Sequence, residues 1–250
     1  MRATIFMVAG LALTAATTEA QSLARKIEAV KDGTVRMSFA AKAGVCGDGR
    51  HNISMNADRR GEWESECEAG PVRIALDRSG GETVALRSYV GGRWRGGEAV
   101  DLGTVPAREA AEWLLKLAEQ NAGASEDAIF PAVLADSVQP WPALLRIAGN
   151  DHVTSETRKS AIFWLGQAAG DAAVKGLDSV VADKKGDREV RESAIFALSQ
   201  RPKEEGVPAL IRVVRNNPDP ELRKKALFWL GQSGDPRALS LFEELLTKNK

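Results

Sequence analysis

The residue types that most often perform chemistry are few in this sequence of 250 residues: two cysteines, Cys46 and Cys67, and two histidines, His51 and His152. The histidines lie in different halves of the chain and neither stands beside a glutamate. Their spacing therefore indicates neither a histidine–glutamate metal pair nor a Ser/His/Asp arrangement. The wide separation of the cysteines does not indicate a zinc site. We expect no catalytic residue, no bound metal and no cofactor.

The densest cluster of reactive types is the run from Cys46 to His51, which contains two glycines. Glycines there would let backbone amides approach a ligand, but a turn held by a disulfide explains the run better. In an oxidising compartment Cys46 and Cys67 most simply form one disulfide, which closes a loop of about twenty residues and contributes about 3 kcal/mol. Two buried free thiols are the alternative if the chain is not exported.

Residues 1–20 have the pattern of a secretory signal peptide: Arg2, a mostly apolar run from Ala3 to Ala16, and Ala20 before a cleavage site ahead of Gln21. A short uncleaved anchor or a buried amino-terminal helix is the alternative. No later stretch has the length of a membrane span, so we expect none in the mature chain. The 34 basic and 34 acidic residues cancel, which argues against a nucleic-acid partner. The predicted location is periplasmic or secreted.

Residues 21–104 predict a small, mostly antiparallel β-rich domain. Apolar and polar residues alternate in three stretches, and glycines are dense between them. The stretches are Val35–Phe39, Val72–Leu76 and Val84–Val90. The loop from Gly91 to Gly97 places Trp94 between Arg93 and Arg95. This loop either inserts Trp94 into a partner or is a turn that folds Trp94 back onto the sheet, and we favour the turn.

The second half contains three near-copies of one phrase, AIFWLGQ, AIFALSQ and ALFWLGQ, which begin at Ala161, Ala194 and Ala226. The starts lie 33 and 32 residues apart, which is the period of a stacked helix-pair repeat. The phrase is apolar on every side of a helix, which predicts burial all round by the partner helix and by adjacent repeats. Trp164 and Trp229 are accordingly predicted to be core residues, with an aromatic ligand box as the alternative.

Near-copies beginning at Pro142 and Pro208 predict the second helix of each pair. The predicted fold is α+β in two domains, the β-rich domain followed by an α-solenoid of about four helical hairpins. A capping helix spans 105–121, and the repeats span about 125–157, 158–190, 191–222 and 223–250. The first repeat is degenerate, because Pro131 stands where the others carry Trp164, Ala197 and Trp229. Its first helix therefore either begins near Pro131 or is bent there.

Several positions recur in each repeat: an Asp to Arg spacing, an alanine, a leucine and a trailing Pro-Ala-Leu helix. These positions make residues 125–250 similar to HEAT-type repeats, particularly the short variety also found in phycobilisome lyases. The resemblance implies an interior ladder of acidic and basic side chains between neighbouring repeats, with direct ligand contacts as the alternative role. The ladder residues are Arg158, Asp187, Arg191, Asp219 and Arg223, and Thr154 replaces the first aspartate.

Solenoids usually act by binding along an extended face, and in the resembling proteins the second helices line the concave side. On that basis Arg146, Arg212 and Arg215 are candidate partner contacts. Gln167, Gln200 and Gln232 form a row that either grips a peptide backbone or caps its own helices. We expect an exported, monomeric, non-enzymatic scaffold or adaptor for a protein or peptide in the solenoid groove. A lyase, or a chaperone-like lyase subunit, is the alternative, and contact through the β domain at Trp94 is a third possibility.

Overall fold

The computed structural model describes residues 22–50, 52–55, 67–94, 97–120, 123–167 and 171–247. The predicted signal peptide, His51 and Arg95 lie outside these ranges. The described chain comprises a mostly antiparallel β region followed by a stack of helical hairpins, as predicted. Within the described ranges no helix combines the length and apolar character that crossing a membrane requires.

The β region begins with helix α1, Leu23–Glu28. Its strands are β1 (Gly33–Phe39), β2 (Cys46–Gly47), β3 (Ile53–Ser54), β4 (Glu68–Ala69), β5 (Val72–Ser79), β6 (Glu82–Val90) and β7 (Val100–Thr104). Four of them form a sheet in the order β6-β5-β1-β7, in which only β7 runs parallel to its neighbour. The short strands form a second sheet in the order β3-β2-β4.

A disulfide joins β2 to the residue that precedes β4. Cys46 and Cys67 are bonded, with a Cα–Cα distance of 5.3 Å, which confirms the predicted pairing. The turn after Cys46 also approaches β6 closely: an added Cβ on Gly47 would lie 2.4 Å from the Val90 carbonyl oxygen. The disulfide ties the small sheet together, and the close approach of Gly47 packs that sheet against the end of the large one.

One face of the large sheet is buried because its apolar residues alternate along each strand. Val35, Met37, Ile74 and Leu76 are completely buried on this face. A backbone hydrogen bond also links the β region directly to the helices, because Lys42 N donates to Leu134 O at 2.9 Å. The β region and the helices therefore share one continuous hydrophobic core.

The helices after the sheet are α2 (Ala107–Glu119), α3 (Ile129–Leu134), α4 (Trp141–Ala148), α5 (Ser155–Gln167), α6 (Asp171–Ala182), α7 (Arg188–Ser199), α8 (Lys203–Asn216), α9 (Pro220–Gln232) and α10 (Pro236–Thr247). Helices α3, α5, α7 and α9 contact one another in sequence and form the first-helix layer. Helices α2, α4, α6, α8 and α10 form the second-helix layer in the same way. Each hairpin contributes one helix to each layer.

Pro131 explains why the first hairpin is short. It is the third residue of α3, in the first turn, where a backbone donor has no partner inside the helix. The helix therefore begins just before Pro131 rather than bending there, and it ends at Leu134. The next residue, Ala135, forms an antiparallel bridge with Ala41 of the β region.

The prediction that the repeated phrase is buried on every side is wrong. The first alanine of each copy and the leucine four residues later are buried. Phe163, Phe196 and Phe228, in contrast, are 48%, 39% and 55% exposed. The physical reason is the layer geometry. A first-layer helix contacts the helix before it, the helix after it and the second-helix layer, and among the described residues nothing covers its fourth side.

Candidate functional site

The exposed side of the first-helix layer carries a row of packed aromatic rings. The Trp164 ring lies 5.1 Å from Phe130 of the preceding hairpin and 5.0 Å from its own neighbour Phe163. Trp229 has the same two contacts, with ring centroids 5.1 Å from Phe196 of the preceding hairpin and 5.0 Å from its own neighbour Phe228. We call this surface the aromatic face, and it consists of Phe130, Phe163, Trp164, Phe196, Phe228 and Trp229. Each indole fills the space between consecutive phenylalanines.

The aromatic face is interrupted once, because Ala197 holds the tryptophan position of the middle repeat. A groove of about 170 Å³ lies there between α5 and α7, with Phe163 and Phe196 among its lining residues. Its floor is narrow, since an added Cβ on Gly166 would lie 3.0 Å from the Cβ of Ala197. We call this groove the Ala197 notch.

The charges at the rim of the notch are paired. Lys159 Nζ donates to Glu189 Oε2, and this hydrogen bond raises the pKa of the lysine. One hairpin later, Lys225 lies 3.0 Å from Glu192. Because each lysine has a carboxylate partner, the rim does not strongly favour a ligand of either charge. Apolar contact is what the notch offers.

Gln167 and Gln200 lie together at the notch, and Gln232 is one hairpin further on. All three are exposed at the carboxyl-terminal end of a first-layer helix. Gln200 Nε2 donates to Ser199 Oγ at 3.1 Å, so this amide is engaged locally. The structure thus brings two of the three candidate glutamines beside an apolar groove.

Arg201, which no sequence pattern marks as a site residue, holds the notch floor in place. Its guanidinium is buried and donates to Gly166 O at 3.1 Å and to Glu205 Oε2 at 3.0 Å. The first bond joins the last described turn of α5 to the turn between α7 and α8. The other repeats carry Ala168 and Ser233 at the equivalent position, so periodicity could not have identified it.

The ladder residues lie between consecutive hairpins. Arg158 is 3.7 Å from Asp187, and Arg191 is 3.8 Å from Asp219, with both arginine side chains 8% exposed. Each aspartate also caps its own helix by accepting from a backbone N–H two residues on. Arg223, in the last hairpin, instead donates to the carbonyl of Asn217 at 2.8 Å. This geometry suits a structural link between repeats.

The three candidate arginines lie on the second-helix layer, away from the aromatic face. Arg146 is 3.1 Å from Glu119, Arg215 is 2.7 Å from Glu244, and Arg212 pairs with Asp178. Each pair joins one second-layer helix to another. Exposed pairs of this kind contribute about 0–1 kcal/mol, so they tie the layer together weakly.

Trp94 lies in the β region and is not part of the aromatic face. Its ring is 6.5 Å from that of Tyr89 in an edge-on contact, and Arg36 Cζ lies 5.5 Å from its centroid. The side chain therefore lies back against the sheet. No cluster of three or more potential metal-ligating side chains occurs in the part of the chain that the structure describes.

The comparison with protein families bears on the second half of the helical stack. Residues 179–250 match the family described as HEAT repeats. The match covers the last two hairpins, α7/α8 and α9/α10, whose two-layer arrangement extends back through α5/α6. No significant match to a curated protein was found. The repeats support a HEAT-repeat protein and, with it, a role in protein interaction.

Proposed function

We propose that this protein is an exported, non-enzymatic HEAT-repeat scaffold that binds a partner protein or peptide through its aromatic face. The observation that carries the proposal is the exposed pair Phe163 and Phe196 on either side of Ala197. Solenoid repeats commonly present an extended surface to a partner, and an exposed aromatic row supplies apolar contact on that surface.

The chain itself indicates what fits the Ala197 notch. In the hairpins before and after, a tryptophan occupies the space between consecutive phenylalanines. Aromatic pairs of this kind contribute about 0.5–1.5 kcal/mol beyond the burial of apolar area. We therefore propose that the partner inserts an aromatic side chain beside Ala197. Gln167 and Gln200 line the groove, and we propose that their neutral amides form hydrogen bonds with the backbone of the inserted partner.

The export part of the proposal is supported by the Cys46–Cys67 disulfide, because such bonds persist mainly in oxidising compartments. Residues 1–20 supply the signal-like pattern. The non-enzymatic and monomeric parts stay predictions from the sequence.

The binding proposal is tested by recovering partners from the source cells with the tagged full chain and three variants. Ala197→Trp fills the notch, Phe163→Ser removes one wall, and Arg212→Ala tests the alternative contact on the second-helix layer. Circular dichroism and thermal melting establish that each variant is folded.

We expect a specific partner with the wild type and with Arg212→Ala, and its loss with both notch variants. If Ala197→Trp does not fold, Phe163→Ser decides, because that side chain is about half exposed in the wild type. Retention of the partner by folded notch variants would contradict the proposal, as would recovery of nothing specific by the wild type.

A further inference from the structure

The outer face of the large sheet gathers three arginines around one small residue. Ala75 on β5 pairs across the sheet with Arg36 on β1 and with Arg87 on β6. Arg73 lies two residues before Ala75 and therefore on the same face. Because an alanine separates long side chains, the sheet surface is recessed at Ala75. This face is the opposite of the one that packs on the helices.

The loop after β6 turns the recess into a pocket. A cavity of about 250 Å³ lies over Ala75, with Trp94, Tyr89 and Arg93 among its lining residues. Arg73 donates to the carbonyls of Gly91 and Gly92, and its Cζ is 6.0 Å from the Trp94 centroid. The loop is therefore held over the sheet by a side chain that also lines the cavity.

The small disulfide-bonded sheet holds the same loop from the other side. Gly49 N donates to Val90 O at 2.8 Å, and Gly92 N donates to Glu68 Oε2 at 2.8 Å. Gly49 has φ +69° and lies so close to the loop that an added Cβ would be 2.8 Å from Gly92 Cα. Every described residue that lines the pocket belongs to the β region.

Two arginines of the pocket, Arg36 and Arg87, already bind carboxylate groups of the β region. Arg87 donates through both terminal nitrogens to the Asp77 carboxylate, at 2.6 and 2.9 Å. This contact lowers the pKa of Asp77. Arg36 donates through Nε to Asp101 Oδ2 at 2.9 Å, which leaves its terminal nitrogens without a hydrogen bond to any described residue. Arg93 is exposed and forms no ion pair with a described residue, although Glu98 also lines the pocket.

We propose that this pocket binds a small carboxylate attached to a flat aromatic ring. The planar fork of a guanidinium matches a carboxylate, and the donors of Arg36 and Arg93 remain to bind one. Trp94 and Tyr89 supply the aromatic walls, and Ala75 supplies an apolar floor for a ring. The cavity volume suits a ligand of one ring rather than a macromolecular segment.

This inference goes beyond the scaffold function and does not depend on it, since the pocket and the Ala197 notch share no residue. The two sites can be tested separately on the same full chain. A variant that removes one of them leaves the other as an internal control for folding.

The probe is benzoate, titrated into the full chain and followed by the NMR signal of the Trp94 indole N–H. Trp94→Phe assigns that signal among the tryptophans. Benzamide keeps the ring without the charge, and acetate keeps the charge without the ring. Ala75→Leu fills the floor, Arg93→Gln removes the unpaired guanidinium, and Arg212→Gln makes the same substitution on the second-helix layer.

We expect millimolar or tighter benzoate binding, with benzamide and acetate at least tenfold weaker. Ala75→Leu and Arg93→Gln should each weaken benzoate at least tenfold, while Arg212→Gln should leave it unchanged. If Ala75→Leu unfolds the sheet, the exposed Arg93→Gln substitution decides. Equal affinity for benzoate and benzamide, unchanged binding by the folded variants, or no shift of the Trp94 signal would each overturn the proposal.

Discussion

The β region and the helical stack each leave a space beside an alanine, but the two spaces differ in what surrounds them. Ala75 stands among arginines on a sheet, whereas Ala197 stands among phenylalanines on a helix layer. The first combination selects an anion with a ring, and the second selects an apolar side chain. The contrast teaches that a small residue marks a candidate site only when its neighbours are known. In the β region the strand register determines the neighbours of the alanine, and in the helical stack the repeat determines them.

Substitutions on the two faces of helix α7 should differ most in their effect on stability. Leu198→Ala removes a completely buried side chain and should lower the free energy of unfolding by about 2–5 kcal/mol. Phe196→Ala, two positions earlier on the exposed side, loses its contact with Trp229 and the burial of part of its ring, and should cost less, about 1–3 kcal/mol. Urea unfolding of both variants measures the difference. Equal losses would show that the aromatic face is part of the core.

The next effect distinguishes the β region from the helices. The double variant Cys46→Ser, Cys67→Ser should lose about 3 kcal/mol, because the closed loop spans 21 residues. It should also lose benzoate binding, since Glu68 beside Cys67 holds the pocket loop. Wild type treated with reductant is the matched comparison and should behave alike. A double variant that keeps full benzoate affinity would refute this link between disulfide and pocket.

A smaller effect tests how consecutive hairpins are joined. Asp219→Ala removes both a helix cap and the partner of the buried Arg191, and we expect a loss of about 1–3 kcal/mol. Asp219→Asn keeps a capping oxygen and loses only the charge, so it should cost less. Denaturant unfolding measures both variants. If the asparagine variant is as unstable as the alanine variant, the ion pair rather than the cap dominates.

The smallest effect concerns acid. Hydrogen bonds from Arg237 lower the pKa of Asp235 from its ordinary 3.8 to about 2. A carboxyl group whose pKa is lower in the folded state stabilises the fold above its unfolded pKa. This contribution is therefore present above about pH 4 and is lost as the pH falls through 2. Thermal melting of Asp235→Asn should show a shallower decline than wild type between pH 4 and 2. An unchanged slope would contradict this assignment.

Much of the fold could be predicted because local patterns carry it. A period near 33 residues predicts the hairpin stack, and alternation predicts β1, β5 and β6. The disulfide could be predicted because the chain has a single cysteine pair. The exposure of the repeated phenylalanines could not be predicted. An apolar sequence shows that a helix can be buried on several sides, but it does not show which of those sides has a neighbouring helix. The lyase alternative stays a prediction, which the absorption spectrum of the protein mixed with a linear tetrapyrrole would test.

The arginine pocket could not be predicted for a different reason. Arg36, Arg73 and Arg87 lie on three strands, and only the observed register places them around Ala75. A shift of one residue on any strand would move its arginine to the buried face. Aligning the repeats, in contrast, shows that Ala197 replaces the tryptophan found at Trp164 and Trp229, but the exposure that makes this position a candidate site required the structure.

The most direct test of the scaffold function is photo-crosslinking in the source cells. A benzophenone amino acid is placed in the full chain at Phe196 on the aromatic face or at Arg212 on the second-helix layer. We predict an adduct with one specific partner from position 196 and none from position 212, and the Ala197→Trp substitution should abolish it. An adduct from position 212 alone, or none from either position, would contradict binding through the aromatic face.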